Sequence, residues 1–398
     1  MAAPGPRNVE NARPQKRPFR IVTATDRILL VRLSHLGDVV HALPVFHALR
    51  EGYPGAEIAW AVQHEFAELV EGLPGLDRTI RFDRRGGPRA WVALHAELAR
   101  FHADWAIDAQ GNTKSSWITL MSGAGRRSGY HPAQWREPFG ALGMTDAAER
   151  AHGSAPNGSS SAVPSHAIDR ALALARHVAP HLGSRPLRTD PALSESECAS
   201  GRTQLAAALG PLEQPPVLIH LGVPTDIRTW PAEHVVALAK RLASEGTPTL
   251  ILSGPAEEQT GTAVESALAD TPVRHLVGQR GLRQLAALFR AAAEHDAQLV
   301  ACDSGPMHLA AACGLAVTAL AGPQDVRRTG PWPVPHTAEA SARGLDHRVV
   351  LAEEAPACAP CLARRCRHTG GNVCMSELSP ERVLERLSTR RRLGGVRA

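Results

Sequence analysis

A buried strand, a short polar turn and an apolar helix follow one another at two places in this chain, and each turn carries a carboxylate. The first unit, ILLVRLSHLGDVVHALPVFHALR, spans residues 28–50, and the second, CDSGPMHLAAACG, spans residues 302–314. A helix that directly follows a strand crosses one face of a sheet before the next strand begins, which makes the neighbouring strands parallel. These units predict an α/β protein with parallel sheets.

The same alternation fills both halves of the chain. Hydrophobic periodicity predicts strands at residues 28–33, 57–62, 105–108, 216–220, 247–253, 298–302 and 317–321, with helices between them. We therefore predict two α/β domains of similar size, each with a parallel sheet, that face each other across a cleft. Ligands of open α/β sheets bind at the carboxyl ends of the strands, so this cleft is the expected functional site.

Composition and turn residues define the domain boundaries. The predicted regions are a disordered basic tail (1–26), an N-terminal domain (27–186) with a flexible Ser- and Gly-rich insertion (146–164), a linker (187–214), a C-terminal domain (215–380) with a Cys-rich segment (358–374), and a C-terminal helix and tail (381–398).

Charge and hydropathy narrow the possible partners. The formal net charge of +5 over 398 residues suits anionic partners such as nucleotides, phosphorylated glycolipids or a membrane surface. No motif of basic and aromatic residues indicates nucleic-acid binding. No apolar run is long enough to cross a bilayer, and the N-terminal segment lacks the apolar core of a secretory signal. We therefore expect a cytoplasmic protein with no nucleic-acid partner.

Asp38 lies in the first polar turn and has two interpretations. Aspartate is among the best N-cap residues, so Asp38 is a candidate cap of the following helix. A carboxylate in a cleft is also a candidate general base that accepts a proton from an attacking hydroxyl. The neighbouring Gly37 permits a close approach that a side chain would block.

The second turn has the composition of an anion site. Asp303, Ser304 and Gly305 precede a helix that has Pro306 in its first turn, and His308 follows within the same turn. Backbone N–H groups at such a helix start bind phosphate well. The alternative is a capping sequence beside a half-buried histidine.

Two further residues extend this candidate donor site. Arg228 precedes a Trp-Pro pair after a predicted strand and could form a charge-assisted fork with phosphate, although a loop arginine is often only solvated. Glu257 and Glu258 open a helix after another strand, where acidic residues interact with the helix dipole or one of the two accepts hydrogen bonds from ribose hydroxyls.

The N-terminal domain carries the candidate acceptor site. Basic side chains after two strand ends would form a rim suited to a phosphorylated acceptor, although ordinary surface charge explains them as well. The predicted acceptor-binding residues are Ser34, His35, Gly37, Arg84, Arg85, Arg89, Gln110 and Lys114.

The Cys-rich segment has the spacing C-x2-C-x4-C-x7-C. Its four cysteines, Cys358, Cys361, Cys366 and Cys374, could close a structural zinc site, or they could remain reduced and packed. A catalytic metal is not expected, because no water-activating pair of histidines lies nearby.

With these residues assembled, the chain resembles glycosyltransferase family 9, the ADP-heptose:lipopolysaccharide heptosyltransferases, over residues 27–387. The opening strand–turn–helix, HAIDRALAL, TWPAEH and DSGPMHLAAA follow the family pattern. AIDAQGNTKSS and WREPFGAL are similar to heptosyltransferase I, whereas the cysteine-bearing tail resembles other branches.

The resemblance implies a GT-B fold of two Rossmann-like, doubly wound domains that face an interdomain cleft, with the donor in the C-terminal domain. It also implies an inverting, metal-independent transfer from ADP-heptose to a phosphorylated glycolipid at the inner membrane, either Kdo–lipid A or a heptosylated core. Asp38 matches the family's catalytic carboxylate. The second turn matches the donor-binding turn, and Glu257 matches the ribose-binding acid. Arg228 stands where the family has a phosphate-binding lysine. Two alternatives remain: a GT-B transferase or epimerase using another nucleotide sugar, and a non-catalytic binding paralogue.

Overall fold

The computed structural model describes residues 26–152, 165–278, 281–333, 335 and 344–394, and these residues form two α/β domains. Each domain is built on a six-stranded sheet in which every pair of neighbouring strands is parallel. No helix among the described residues is both long enough and apolar enough to span a membrane.

The N-terminal sheet has the strand order β3-β2-β1-β4-β5-β6, which is the Rossmann order. Its strands are β1 (Arg27–Val31), β2 (Glu57–Gln63), β3 (Arg78–Phe82), β4 (Trp105–Asp108), β5 (Arg126–Gly129) and β6 (Asp146–Ala147). Its helices are α1 (Leu36–Gly52), α2 (Ala67–Glu71), α3 (Gly87–Phe101), α4 (Thr113–Met121) and α5 (Ala167–Val178), with 3₁₀ turns at His64–Phe66, Pro132–Gln134, Pro138–Gly143 and Pro180–Leu182.

The C-terminal sheet has the order β12-β11-β10-β7-β8-β9, which is again the Rossmann order when the strands are counted from β7. Its strands are β7 (Val217–His220), β8 (Thr249–Leu252), β9 (Arg274–Leu276), β10 (Gln298–Cys302), β11 (Ala316–Leu320) and β12 (Arg348–Val350). Its helices are α6 (Glu195–Leu209), α7 (Ala232–Ser244), α8 (Glu258–Ala267), α9 (Leu282–Glu294), α10 (Gly305–Ala312), α11 (Val326–Thr329), α12 (Val373–Ser376) and α13 (Pro380–Gly394), with a 3₁₀ turn at Pro255–Glu257.

The central strand β1 shows why an unbroken apolar run is needed here. Ile28 and Leu30 point to one face of the sheet and pack in the core that includes α1, whereas Leu29 points to the opposite face, towards α3. A parallel strand covered by helices on both faces must be apolar at every position rather than at alternate ones. The predicted GT-B architecture of two Rossmann-like domains is confirmed.

The two domains meet where the amino ends of α1 and α10 come together. A Cβ atom on Gly37 would lie 2.3 Å from Cδ2 of His308, and a Cβ atom on Gly305 would lie 2.6 Å from Cβ of Leu36. One apolar cluster contains Leu43 of α1 and Met307 of α10, so the core continues across the interface. Glycine on each side allows the two polar turns to touch.

Several predicted boundaries differ from the structure. Residues 146–147 are not flexible insertion, because they form β6 and pair with Ser128 and Gly129. Residues 153–164 lie outside the described residues. The predicted linker contains α6, which packs against α9 so closely that a Cβ atom on Gly201 would lie 2.2 Å from the carbonyl oxygen of Ala287. This helix therefore forms a layer of the C-terminal domain.

The predicted C-terminal helix is present as α13, whereas most of the predicted N-terminal tail lies outside the described residues. Residues 1–25 of the predicted tail and residues 395–398 lie outside the described residues. Asp26, which was assigned to the tail, is buried, and its carbonyl oxygen accepts a hydrogen bond from Glu57 N at 3.1 Å. Asp26 is therefore part of the folded domain.

Candidate functional site

The candidate site lies where the carboxyl edges of both sheets face the interdomain cleft. In a sheet of Rossmann order, the crevice opens between the first and fourth strands, where the strand order reverses. These strands are β1 and β4 in the N-terminal domain, and Asp38 and Gln110 follow them. They are β7 and β10 in the C-terminal domain, and Arg228 and Asp303 follow those.

Asp38 is not the cap of α1. His35 occupies the N-cap position, and Asp38 lies two residues inside the helix, in its first turn. The Asp38 carboxylate pairs with the Arg32 guanidinium (Oδ1–Nη2, 2.7 Å) and lies 3.7 Å from His35 Nδ1. Its side chain is 42% exposed, so a ligand in the cleft can reach it.

Two opposing effects set the ionisation of Asp38. Burial favours the neutral acid, but the charge of Arg32 and the nearby His35 side chain outweigh it and hold the pKa of Asp38 well below its usual value. Asp38 is therefore a carboxylate at neutral pH. The structure gives the candidate base an accessible oxygen and the ionisation state that a proton acceptor needs.

Arg32 is a residue that the sequence analysis missed. Its side chain is buried, and its Nη1 donates a hydrogen bond to the carbonyl oxygen of Ala109 at 2.5 Å, beside β4. This contact fixes the guanidinium that holds Asp38. The sequence signal that could have identified Arg32 is its charge, which directly follows the apolar residues of β1 where the chain enters the turn.

The start of α10 forms the matching turn of the C-terminal domain. Ser304 is the N-cap residue, but its side chain makes no capping bond, and its buried Oγ has no hydrogen-bond partner among the described residues. Gly305 and Pro306 occupy the first two helical positions. The first-turn amides and the Ser304 hydroxyl are therefore available to an anion at the positive end of the helix.

A cavity of about 370 Å³ opens beside this turn, within the size range of small-molecule sites. It is lined by side chains from both domains, including Leu36 and Glu65 of the N-terminal domain. The predicted donor residues that line it are Arg228, Glu257, Asp303, Ser304 and Gly305.

Arg228 is held in the cavity wall by Asp226. The Asp226 carboxylate accepts hydrogen bonds from Nε and Nη2 of Arg228, at 2.9 and 2.5 Å. The third guanidinium nitrogen, Nη1, lies 3.7 Å from Oδ2 of Asp303. The fork to Asp226 fixes the guanidinium plane while the side chain remains about one-third exposed. The sequence analysis did not identify this supporting role of Asp226.

Glu257 also lines the cavity. Its side chain is buried, and Oε2 accepts a hydrogen bond from the backbone N–H of Gly254 at 2.8 Å. Burial raises the pKa of Glu257 despite that bond. The side chain is therefore fixed at the carboxyl end of β8, where it can accept hydrogen bonds from a ligand hydroxyl.

His308 was predicted to bind the donor, but it does not line the cavity. Its Nε2 lies 3.2 Å from Oδ1 of Asp303, and its Nδ1 lies 3.1 Å from Nε2 of His41 in α1. Donation from His308 Nε2 to the carboxylate leaves His308 Nδ1 as the acceptor for His41. Burial lowers the pKa of His41 far below its usual value, so His41 is neutral. His308 therefore orients Asp303 and joins the domains.

The predicted acceptor residues form two groups. Ser34, His35 and Gly37 lie beside Asp38, and Gln110 Oε1 accepts a hydrogen bond from Leu33 N at 2.8 Å. Lys114 lies further along α4, with Nζ 5.7 Å from the centre of the Phe82 ring. Three arginines stand exposed on the loop after β3 and at the start of α3: Arg84, Arg85 and Arg89.

In the second group, which consists of Lys114, Arg84, Arg85 and Arg89, the charges of Lys114 and Arg84 interact. Burial lowers the pKa of Lys114, and the nearby charge of Arg84 lowers it further, so these two cations lie close together. Two cations held side by side attract an anionic group. The role of these residues in acceptor binding stays a prediction.

Asp108, at the end of β4, is a fully buried acid close to the cleft. Its Oδ1 accepts hydrogen bonds from the backbone N–H groups of Gln110 and Gly111, each at 2.8 Å. Burial nevertheless raises the pKa of Asp108 to about 6. The folded protein thus binds a proton at Asp108 more tightly than the unfolded chain does.

This shift predicts a pH-dependent stability. A raised carboxyl pKa stabilises the fold below the unfolded pKa, and that contribution is lost as pH rises through the folded pKa of about 6. We expect the wild-type protein to lose about 2 kcal/mol relative to Asp108→Asn between about pH 4 and pH 7. Urea unfolding of both proteins across this range measures the difference, and parallel pH profiles would contradict the assignment.

The four cysteines of the Cys-rich segment differ in exposure. Cys358, Cys361 and Cys366 are exposed, whereas Cys374 is buried. Burial raises the pKa of Cys374, and the other three thiols raise it further, so the four lie near one another. No three His, Cys, Asp or Glu side chains in the described part of the chain are arranged to hold a metal ion. The zinc site remains a prediction.

Comparison with known proteins agrees with this architecture. The family model for glycosyltransferase family 9 (heptosyltransferase) matches residues 91–350. Two facing Rossmann-like domains with a polar turn on each side of the cleft are the arrangement expected of a glycosyltransferase that binds a nucleotide sugar. The chain belongs to glycosyltransferase family 9, the heptosyltransferases.

Individual relatives extend over most of the chain. Lipopolysaccharide heptosyltransferase 1 from Pseudomonas aeruginosa is 28% identical, over 91% of this chain and 97% of its own. The family 9 structure from Veillonella parvula aligns with a TM-score of 0.69 and 20% identity, over 92% of this chain and 97% of its own. An Escherichia coli heptosyltransferase bound to ADP aligns with a TM-score of 0.63 and 21% identity, over 92% and 98%.

Proposed function

We propose that this protein transfers heptose from ADP-heptose to a lipopolysaccharide inner-core acceptor, either Kdo–lipid A or its heptosylated form. The main observation is the placement of the ionised Asp38 carboxylate at the start of α1, next to the helix start that lines the cavity of the second domain. The similarity to lipopolysaccharide heptosyltransferase 1 and the ADP bound to a structural relative support this choice.

The donor occupies the cavity of the C-terminal domain. Its diphosphate binds the first-turn amides of α10, the Ser304 hydroxyl and the Arg228 guanidinium, which together supply positive charge. Glu257 accepts hydrogen bonds from the ribose hydroxyls. Asp303, oriented by His308, faces the sugar end of the diphosphate, so the anomeric carbon points towards the N-terminal domain.

The transfer is a single displacement. The acceptor hydroxyl attacks the anomeric carbon from the side of Asp38 while the bond from that carbon to the ADP oxygen breaks, which inverts the configuration. The hydroxyl proton passes to Asp38 as the new bond forms. A carboxylate paired with Arg32 is a weak base, so proton transfer occurs late, when the attacking oxygen has become acidic.

The departing ADP carries the negative charge that develops in this step. Donors that are already oriented towards a developing charge stabilise it without further reorganisation. The α10 amides and Arg228 therefore stabilise the charge of the leaving ADP, which a divalent cation does in metal-dependent transferases. The sequence has no Asp-x-Asp pair for a nucleotide-bound metal. We propose that activity persists in a chelator.

Loss of the Arg228 charge should weaken nucleotide binding. We expect Arg228→Gln to raise the dissociation constant of ADP by about tenfold, because a hydrogen bond to a charged group is lost. Isothermal titration calorimetry with ADP measures this change. Arg241→Gln is the matched control, since Arg241 is an exposed arginine on α7 of the same domain and pairs with Glu245 just after that helix. Equal losses in both variants would argue against phosphate contact by Arg228.

A donor panel separates the proposal from its alternatives. Purified protein is incubated with Kdo–lipid A and each of several nucleotide sugars in the presence of EDTA, and nucleotide release is followed. Release from ADP-heptose alone supports the proposed function. Release from another nucleotide sugar would favour the wider GT-B class, and ADP-heptose binding without turnover would indicate a binding paralogue.

We also propose that the protein acts at the cytoplasmic face of the inner membrane, because the proposed acceptor is a glycolipid.

A further inference from the structure

Four large apolar side chains stand exposed on one side of the N-terminal domain. Phe139 and Leu142, on the 3₁₀ helix Pro138–Gly143, are each 83% exposed, and Trp117 and Leu120 of α4 are 59% and 42% exposed. They make up half of the eight large hydrophobic residues exposed in the described part of the chain. We call these four residues the apolar ridge.

The ridge is continuous because the two helices pack together. Ser116 Oγ donates a hydrogen bond to the carbonyl oxygen of Gly140 at 2.7 Å. A Cβ atom on Gly143 would lie 3.3 Å from Cδ1 of Leu120, so the end of the 3₁₀ helix touches α4. In each helix the two exposed residues are three positions apart, which places them on the same face.

Packing of the domain does not account for this exposure. The opposite face of α4 is buried through Ser115, Ile118 and Thr119, so the helix already has its contact with the sheet. Exposed tryptophan, phenylalanine and leucine side chains on two adjoining helices mark a surface that meets an apolar partner. The partner must therefore be sought outside the N-terminal domain.

The charge around the ridge selects the kind of partner. Lys114 lies one turn before Trp117 on α4, and Arg84 lies beside it. Arg85 and Arg89 are exposed on the adjoining loop and helix. Two acidic residues are also present: Glu137 accepts a hydrogen bond from Thr113 N, and Asp83 accepts one from Arg85 N. The four cations outnumber them. Apolar side chains bordered by lysine and arginine match the interface of an anionic bilayer.

The position of the ridge relates it to the cleft. Helix α4 begins three residues after Gln110, at the carboxyl edge of the sheet where Asp38 also lies. We propose that the apolar ridge inserts into the surface of an anionic membrane and holds the acceptor side of the cleft against it. The identity of the lipid-linked acceptor rests on the proposed function, whereas binding to the bilayer does not.

Vesicle binding tests the proposal directly. Vesicles of phosphatidylglycerol and phosphatidylethanolamine, or of phosphatidylcholine alone, are floated with the full chain. We expect the wild-type protein to bind the anionic vesicles and to dissociate in high salt. The double variant Phe139→Ser/Leu142→Ser should bind on the order of tenfold more weakly. Leu351→Ser, at a 44% exposed leucine of the C-terminal domain, is the matched control and should bind as the wild type does.

Two results would overturn the proposal. One is equal binding of the double variant and the wild type, and the other is failure of the wild type to bind anionic vesicles. If the ridge instead joins two copies of this chain, light scattering will show a dimer that the double variant loses. Melting curves should be unchanged, since the substituted side chains are mostly in water.

Turnover separates this proposal from the proposed function. The double variant should lose activity on an acylated acceptor embedded in vesicles and keep activity on the deacylated, water-soluble acceptor. Equal losses on both would place the ridge in the acceptor site and contradict membrane docking. If the wild type turns over neither acceptor, the proposed function fails, but vesicle flotation still decides whether the ridge binds membranes.

Discussion

Replacement of Asp38 by Asn is expected to lower kcat by about 10² to 10⁴-fold, the usual contribution of a general base. The amide keeps the size of the side chain and its place in the first turn of α1, but it cannot accept the hydroxyl proton. ADP-heptose affinity should remain almost unchanged, because the proposed donor contacts lie in the other domain. Steady-state kinetics together with calorimetric titration of the donor separate these two effects.

The matched control for this experiment is Asp77→Asn. Asp77 is 42% exposed and pairs with Arg50, so it has the same exposure as Asp38 and a similar arginine partner. It accepts a hydrogen bond from Ile58 N near the start of β2, at the edge of the sheet opposite the cleft. If Asp38→Asn turns over as the wild type does, Asp38 is not the general base. An equal loss of kcat in Asp77→Asn would contradict that role as well.

Substitution of Gly37 by Ala should lower kcat by about a hundredfold, although it adds only one methyl group. That methyl would lie 2.3 Å from Cδ2 of His308, and His308 is buried between Asp303 and His41. Either the imidazole or the whole domain interface must shift. Small displacements of reacting groups cost rate of this order. Kinetic assays and thermal melting of the same samples distinguish misplacement from unfolding.

Gly125→Ala provides the control for this second prediction. A Cβ atom on Gly125 would meet nothing within 4 Å, so the same change of residue type is made without a steric conflict. We expect this variant to keep wild-type kinetics. Normal kinetics in Gly37→Ala would show that the contact with His308 is dispensable for turnover.

The alternation of strands and helices was predictable because it depends on local periodicity. Strand β1 is apolar from Ile28 to Val31 because both of its faces are covered, and the turn that follows it is short and polar. The order of the strands within each sheet depends on long-range pairing, such as that of Ile28 with Ile58 and Trp105. That order came from the family resemblance and not from the residues themselves.

Helix α6 illustrates why a segment can be assigned to the wrong part of a fold. Turn residues around it resemble a linker, and its own sequence is only weakly apolar. Its place is set by a close approach to α9 through Gly201 and by the ion pair between Glu197 and Arg283. Helix α9 and its Arg283 lie far from α6 in sequence, so no local sequence signal reveals these contacts.

The candidate site was predictable as a set of turns but not as a set of contacts. Asp38, Asp303 and Arg228 lie at strand ends, where the topology of the sheets brings them to the cleft. The contacts of Arg32 with Asp38 and of Asp226 with Arg228 depend on side-chain rotamers and interatomic distances, which cannot be read from a sequence. His308 was correctly placed in the second turn, but its own side chain does not line the cavity and instead contacts His41 and the cavity-lining Asp303.

The most direct test of the central claim is mass detection of the product. Purified protein is incubated with ADP-heptose and, in separate reactions, with Kdo–lipid A and with its heptosylated form. The proposed function predicts that one acceptor gains a single heptose in the presence of EDTA, and that Asp38→Asn forms this product far more slowly. The absence of heptosylated product from both acceptors, with ADP-heptose bound by the protein, would contradict it.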